Sequence, residues 1–271
     1  MAYGMNTFFI MGDGSVKQAG EIRAGDYMLG PDSKPHKVVS TRGDKKQLYK
    51  ISFADGFYTC TADQLLCVKS APSSGNEFIN LTELYGEGGD FRQNIFGVRC
   101  GGVDFQEKPV PIDPYIMGVI MGNERYMRRV RNDSIQFPKI CICNSREVRI
   151  CFLTALIDTY GEICDDKLYL DFNDEGRARD TLFLVKSLGG NGWIDKKGVL
   201  VVDSLALTGY MNPCLLNVYK INIEPTLSYG AEIEKLDGTE YVSYIELEDN
   251  SLMLLDDFTM VPDCSGMVGS T

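Results

Sequence analysis

Histidine is almost absent from this chain of 271 residues, because His36 is the only one. Cysteine is more frequent, with nine residues, but the number is odd and only Cys141 and Cys143 lie close together. A zinc site needs Cys and His ligands at regular spacing, so we expect no bound metal ion and no cofactor. The cysteines are better interpreted as reduced, buried apolar residues of a protein in a reducing compartment.

Long apolar segments and a surplus of basic residues are missing as well. No apolar run approaches the roughly 20 residues that a membrane-spanning helix needs, and the first residues lack the pattern of a signal peptide. The net charge of −11 argues against extended nucleic-acid binding, because phosphates attract basic surfaces. Composition therefore predicts a globular intracellular chain, in the cytoplasm or nucleus, with no membrane partner.

Short apolar runs separated by turn residues fill the first part of the chain. The turn pairs are Asp13-Gly14, Gly25-Asp26, Gly30-Pro31 and Asp55-Gly56. The runs between them have no helical period, and such pairs are typical of β-hairpins. The sequence therefore predicts an all-β unit at this end.

Three motifs within these runs resemble the opening half of inteins, the self-splicing branch of the hedgehog/intein superfamily. They are the turn Asp13-Gly14-Ser15, the segment GDYMLG at 25–30 and the turn TADQ at 61–64. The resemblance implies a mainly β Hint horseshoe formed by both chain ends. It also implies that Ala2 and Asp263 lie close together, near Thr61.

The resemblance assigns catalytic positions around an upstream splice junction. Ala2 stands where the family has its first nucleophile, and alanine has no atom that could attack a carbonyl. Thr61 and Asp63 can still polarise or orient the junction peptide. Gln64 replaces a histidine, and an amide cannot deliver a proton to a leaving group. Ala2 is either an engineered block or natural, as in the minority class whose downstream nucleophile attacks directly.

The end of the chain resembles the motifs before a downstream splice junction. The matching residues are Leu254-Leu255 and Asp257-Phe258-Thr259. The family then ends in His-Asn, followed by Cys, Ser or Thr, whereas this chain has Pro262, Asp263 and Cys264. Cys264 is therefore the retained nucleophile, and Asp263 is expected to cyclise more slowly than asparagine.

The middle of the chain resembles a reduced LAGLIDADG homing endonuclease, with motif helices at 112–124 and 152–162. The metal-binding carboxylates of that family fall at Asn123 and Tyr160, and Asp158 is out of register. Because Asn and Tyr are poor Mg²⁺ ligands, we expect no metal site and no DNA cleavage. Basic residues between the motifs are interpreted either as weak DNA contacts or as a solvated loop: Arg125, Arg128, Arg129 and Arg131.

The predicted domains are the N-terminal half of the Hint domain at 2–108, the α/β insert at 109–218 and the C-terminal half at 219–263. Residues 264–271 are expected to begin the downstream flank of a host protein. The partners would be the flanking extein segments, the protein would be a monomer, and its location would follow the host.

The predicted function is protein splicing by N-to-S acyl shift, transesterification and cyclisation of the C-terminal residue. Ala2 and Asp263 are expected to block these steps in the chain as it stands. Two other functions stay open at this point. One is a catalytically dead scaffold, and the other is a DNA-binding remnant of a homing endonuclease.

Overall fold

The computed structural model describes residues 1–53, 56–70, 75–86, 95–122, 137–165, 167–204 and 232–265. The chain divides into two compact units, the first formed by 1–100 with 225–271 and the second by 101–224. The division after Cys100 precedes the boundary predicted after residue 108. The boundary predicted after residue 218 lies outside the described residues.

Strands dominate the described part of the first unit. In the first hundred residues they are β1 (Tyr3–Gly4), β2 (Phe8–Ile10), β3 (Val16–Gln18), β4 (Tyr27–Leu29), β5 (Pro35–Lys46), β6 (Leu48–Phe53), β7 (Gly56–Thr61), β8 (Leu65–Ser70), β9 (Glu77–Asn80) and β10 (Ile95–Gly97). A short 3-10 helix occupies Ala19–Glu21, and α1 occupies Leu81–Gly86.

The second unit mixes helices with strands. Its elements are α2 (Pro114–Gly122), α3 (Lys139–Ile142), α4 (Arg146–Tyr160), β11 (Gly161–Cys164), β12 (Lys167–Leu170), α5 (Glu175–Ser187), β13 (Asn191–Ile194) and β14 (Leu200–Ser204). The first unit then resumes with β15 (Glu232–Lys235), β16 (Glu240–Leu247), β17 (Leu252–Leu254) and β18 (Met260–Pro262).

A seven-stranded antiparallel sheet organises the first unit, in the order β15-β6-β7-β1-β16-β5-β4. Strand β1, at the start of the chain, lies between β7 and β16. Tyr3 pairs with Cys60 on one side and with Ser243 on the other. Strands from both ends of the chain thus share one sheet. The predicted mainly β character of this unit is confirmed.

The predicted turns form where glycine can adopt a positive φ. Gly14 has φ +84° and Gly25 has φ +94°, a region that residues with a Cβ rarely occupy. Asp13 stabilises the first of these turns, because its carboxylate accepts hydrogen bonds from the nitrogen and hydroxyl of Ser15 at 2.9 and 2.6 Å. Asp55 lies outside the described residues.

One apolar core holds the first unit together. Tyr3, Phe9, Met28, Ile51 and Ile245 are fully buried within it. Burial of a side chain of this size contributes about 1.5–3 kcal/mol, so residues from both ends of the chain stabilise this core. The short hairpin of β17 and β18 belongs to the same unit, and Asp263 follows directly after it.

The second unit has a core of its own between its helices and a four-stranded antiparallel sheet, in the order β11-β12-β14-β13. Helix α2 packs closely on α4 because of two glycines. A Cβ on Gly118 would lie 2.5 Å from the Cβ of Ala155, and one on Gly122 would lie 2.5 Å from Thr159. The second predicted motif helix ends earlier than expected, since α4 stops at Tyr160 and Glu162 lies in β11.

Candidate functional site

The main chain of Ala2 is fixed by the end of strand β7. Thr61 Oγ1 accepts a hydrogen bond from the Ala2 nitrogen at 2.8 Å, and the Thr61 nitrogen donates to the Ala2 carbonyl at 2.9 Å. Both residues are buried. Thr61 therefore holds the nitrogen of the peptide bond between Met1 and Ala2 in a position that strand pairing determines.

A carboxylate lies beside the same peptide. Asp63 accepts a hydrogen bond from the amino group of Met1 at 2.6 Å. Burial raises the pKa of Asp63, but hydrogen bonds from the amino group and from Thr61 outweigh it and lower the pKa overall. Asp63 is therefore a carboxylate at neutral pH, next to the upstream end of the site.

Gln64 is fully buried, and its side-chain hydrogen bonds go to Tyr3 and Leu65, not to the Ala2 nitrogen. Its Nε2 donates to the hydroxyl of Tyr3 at 3.0 Å and to the carbonyl of Leu65 at 3.2 Å. Its Oε1 has no hydrogen-bond partner among the described residues. The amide is thus used to hold Tyr3, a role that the sequence did not predict.

Tyr3 joins the two ends of the chain. Its hydroxyl donates to the carbonyl of Pro262 at 2.5 Å, and its ring packs edge-on against Phe9 with centroids 5.2 Å apart. Burial, with a smaller contribution from Cys264, raises the pKa of Tyr3 well above its ordinary value. The phenol is therefore protonated at neutral pH and can donate this hydrogen bond.

The side chain of Asp263 is almost fully buried, and both of its oxygens are engaged. One accepts from the Leu247 nitrogen at 3.0 Å. The other accepts from the nitrogen and hydroxyl of Ser265 at 3.2 and 2.6 Å, which closes a short turn across Cys264. The carboxylate is satisfied as it stands.

Cys264 is held by its main chain and shielded by burial. Its nitrogen donates to the carbonyl of Ile245 at 2.8 Å, and only 8% of the residue is exposed. Burial raises the pKa of the thiol to about 12. The sulfur is consequently a protonated thiol, a poor nucleophile, in this arrangement.

The residues predicted at the two junctions therefore belong to one unit, and a few hydrogen bonds link the segments that carry them. Ala2 is hydrogen-bonded to Thr61. Gln64 donates a hydrogen bond to Tyr3, and Tyr3 donates one to Pro262, directly before Asp263. Tyr3 and Cys264 also share the apolar core. Tyr3 itself was missed at the sequence level, where the only available signal was a hydroxyl-bearing aromatic beside Ala2.

The predicted endonuclease positions belong to the second unit and make structural contacts. Asp158 accepts a hydrogen bond from the hydroxyl of Tyr115 at 2.9 Å. Tyr160 packs on Phe172 at 4.6 Å and accepts a hydrogen bond from Arg177 at 3.4 Å. The remaining positions lie outside the described residues: Asn123, Arg125, Arg128, Arg129 and Arg131.

No cluster of acidic, Cys and His side chains suited to a metal ion occurs within the described ranges. The helices of those ranges are all too short or too polar to cross a bilayer.

No family profile matches the chain, and no curated protein does. Among solved structures, the gp41-1 intein is 21% identical over 36% of this chain and 67% of its own, with a TM-score of 0.28. The MchDnaB-1 intein is 26% identical over 28% of this chain and 58% of its own, with a TM-score of 0.24. The chain thus spans about three fifths to two thirds of the length of these two proteins.

A bacterial intein-like domain from Clostridium thermocellum aligns over 97% of this chain and 98% of its own, at 11% identity and a TM-score of 0.37. All three of these solved structures are inteins or intein-like domains.

Proposed function

We propose that this chain is a protein-splicing domain, an intein, whose two junctions are assembled but chemically arrested. The observation that carries the proposal is the bond from Tyr3 to Pro262 beside the bonds from Ala2 to Thr61. Together they hold residues next to both junctions in one buried site. Splicing requires such proximity, because the downstream nucleophile must reach the upstream carbonyl.

The upstream junction would be the peptide bond between Met1 and Ala2. In the first step of splicing a side chain at the Ala2 position attacks the preceding carbonyl, and the methyl group of alanine cannot do so. Thr61 Oγ1 lies 2.8 Å from the Ala2 nitrogen, so the nitrogen that must leave is already oriented. The scaffold of this step is present, but its nucleophile is not.

Cys264 is the remaining nucleophile. Its thiolate would attack the Met1 carbonyl, forming a C–S bond and breaking the C–N bond to Ala2, whose nitrogen would take up a proton. A pKa of about 12 leaves roughly one thiol in 10⁵ ionised at pH 7. Gln64 cannot supply the proton, because its amide does not ionise. The direct route is therefore slow.

The downstream junction would be the peptide bond between Asp263 and Cys264. To break it by cyclisation, a side-chain oxygen of Asp263 must bond to the main-chain carbonyl carbon of the same residue, which forms a cyclic anhydride. The bond to the Cys264 nitrogen then breaks, and that nitrogen takes up a proton from solvent. Both oxygens accept hydrogen bonds instead, from Leu247 and Ser265. The carboxylate must give up these bonds before it can attack, which adds to the barrier.

The insert between the two halves is proposed to be a reduced LAGLIDADG domain without endonuclease activity. The close approach of α2 and α4 at Gly118 and Gly122 supports a pair of motif helices. Tyr160 occupies a carboxylate position and packs its ring on Phe172, where a metal ligand would be needed. Mg²⁺-dependent nicking of DNA by the purified chain would contradict this part of the proposal.

A catalytically dead scaffold is the second candidate, because every described polar contact of Asp263 and Cys264 is structural. The two functions differ in what substitution can restore. A splicing domain that is only arrested regains junction chemistry when its missing groups are replaced, whereas a scaffold does not.

The test is to express the chain between two tagged flanks and to follow the masses of the products. We expect the chain as it stands to persist intact. The double variant Ala2→Cys with Asp263→Asn should cleave at one or both junctions within hours in a reducing buffer. The same double variant with Cys264→Ala should retain cleavage but lose ligation. A double variant that stays inert for days would show that the domain is a scaffold.

A further inference from the structure

The main chain of Tyr3 is paired with a neighbouring strand on each side. Strands β7 and β16 pair with it on both sides, at Cys60 and Ser243. Its side chain is fully buried, and the ring is flanked by Phe9 and Tyr58, with centroids 5.2 and 6.3 Å away. Strand pairing and ring packing therefore fix the position of the Tyr3 hydroxyl.

The hydrogen bonds of that hydroxyl have a fixed direction. A phenol has one hydrogen, and it points to the Pro262 carbonyl at 2.5 Å. The neighbouring Gln64 must then donate, through Nε2 at 3.0 Å. This leaves Gln64 Oε1 without a partner among the described residues, although the atom is buried. The hydrogen bond from Gln64 to Tyr3 thus coexists with a buried oxygen that accepts no hydrogen bond, and such an unsatisfied group lowers the free energy of unfolding.

The position of Pro262 indicates what the bond is for. Proline has no N–H, so its carbonyl is the only main-chain group at this point that can be hydrogen-bonded. On the other side of Asp263, the Cys264 nitrogen donates to the Ile245 carbonyl at 2.8 Å. The Tyr3 and Ile245 bonds thus fix the main chain on both sides of Asp263, independently of its side chain.

Cyclisation requires the side chain at 263 to leave Leu247 and Ser265 and to turn towards its own carbonyl. Its main chain must stay in place while it does so, because an error of about 1 Å in a reacting pair can cost about 10²-fold in rate. We propose that Tyr3 is a positioning residue for the downstream junction, its hydroxyl holding the Pro262 carbonyl so that the peptide at 263 stays fixed during cyclisation. This inference rests on the proposed splicing function.

The step itself can be isolated in the single variant Asp263→Asn, in which Ala2 still blocks the upstream acyl shift. The side-chain nitrogen of the new residue gives up one proton to solvent and bonds to the main-chain carbonyl carbon at 263. The bond from that carbon to the Cys264 nitrogen breaks, and this nitrogen takes a proton from solvent. Cleavage between 263 and 264 is measured by mass. Upstream chemistry is measured separately in Ala2→Cys, as thiol-induced release of the upstream flank.

Tyr3→Phe removes the hydroxyl and keeps the ring. We expect it to slow downstream cleavage by about 10²-fold and to change upstream thiolysis by less than about threefold. Tyr58→Phe is the matched control, since it removes a buried hydroxyl from the same core without touching Pro262. It should change neither rate by more than about threefold. A purely structural role for Tyr3 would slow both junctions together.

A second variant covers the case in which Tyr3→Phe does not fold. Gln64→Leu removes the donor to Tyr3 and should slow downstream cleavage by about tenfold. Downstream rates that are the same in Tyr3→Phe, Tyr58→Phe and the parent overturn the inference alone. Parents that are inert at both junctions overturn the proposed splicing function, and this inference with it.

Discussion

In our proposal, the two ends of the splicing site are inactive for different reasons. At the upstream end Ala2 lacks a reactive side chain, although Thr61 already holds its main chain. At the downstream end Asp263 and Cys264 carry reactive groups. Hydrogen bonds occupy the oxygens of Asp263, and burial keeps the thiol of Cys264 protonated. The upstream block is therefore one of composition, which only substitution removes. The downstream block depends on environment, which a movement of the chain can relieve.

The reactivity of Cys264 is the sharpest test of this difference. We expect iodoacetamide at pH 7 to alkylate Cys264 at least about 10²-fold more slowly than Cys164, because burial both raises the pKa of Cys264 and shields the sulfur. Cys164, which is exposed, serves as the internal control. Peptide mapping by mass spectrometry gives both rates in one sample.

The pH dependence of the same reaction gives a second readout. The rate at Cys264 should rise about tenfold for each pH unit between 7 and 9, since the pKa of about 12 lies far above this range. Equal rates at Cys264 and Cys164 would mean that the downstream end is open, and the contrast with Ala2 would fail.

Thr61→Ala tests whether the upstream end is held as firmly as the hydrogen bonds suggest. The substitution leaves the buried nitrogen of Ala2 without its acceptor. We expect a loss of about 1–3 kcal/mol in the free energy of unfolding, measured with denaturant. Thr239→Ala, at an exposed position of the same unit, should change it by less than about 0.5 kcal/mol. Equal stability of the two variants would show that Ala2 is not held.

The smallest effect is expected at His36, which links a turn of the N-terminal half to the turn before β17. Its Nδ1 lies 2.6 Å from Asp249, in the turn before β17, and its Nε2 lies 2.9 Å from Asp32. Carboxylates accept hydrogen bonds, so only the protonated ring can donate to both. Burial lowers the pKa of His36, but the bonds to Asp32 and Asp249 outweigh it and raise the pKa above 6.5.

The sign of the pH effect follows from these shifts. The stability due to His36 is fully present below pH 6.5 and is lost as pH rises through its higher folded pKa. For Asp32 and Asp249, burial opposes ionisation, but hydrogen bonds, including those from His36, lower the pKa below 3.8. Their contribution is present above pH 3.8 and is lost as pH falls through the lowered pKa values.

The free energy of unfolding should therefore be highest between about pH 4 and pH 6.5, with an amplitude under about 1 kcal/mol because the carboxylates are half exposed. His36→Asn should remove the decline above pH 6.5. A decline that persists in this variant would assign it to another group. Chemical unfolding across the pH range provides the measurement.

Particular residues show how far the sequence could be interpreted. The turns at Gly14 and Gly25 followed from the Asp-Gly and Gly-Asp pairs, because a residue without a Cβ adopts a positive φ without strain. Tyr3 could not be recognised in this way. Its hydroxyl bonds to Pro262, which is 259 residues away in the chain, and no local pattern records that contact.

The sequence by itself determined which chemical groups are present. Ala2 has no nucleophile, Gln64 has no ionisable group that could transfer a proton, and Cys264 has a thiol. These are properties of single side chains. Only the tertiary structure decided that the thiol is protonated, that both oxygens of Asp263 are engaged and that Gln64 turns to Tyr3. Protonation and hydrogen bonding depend on burial and on neighbours that the folded sheet brings together from both ends of the chain.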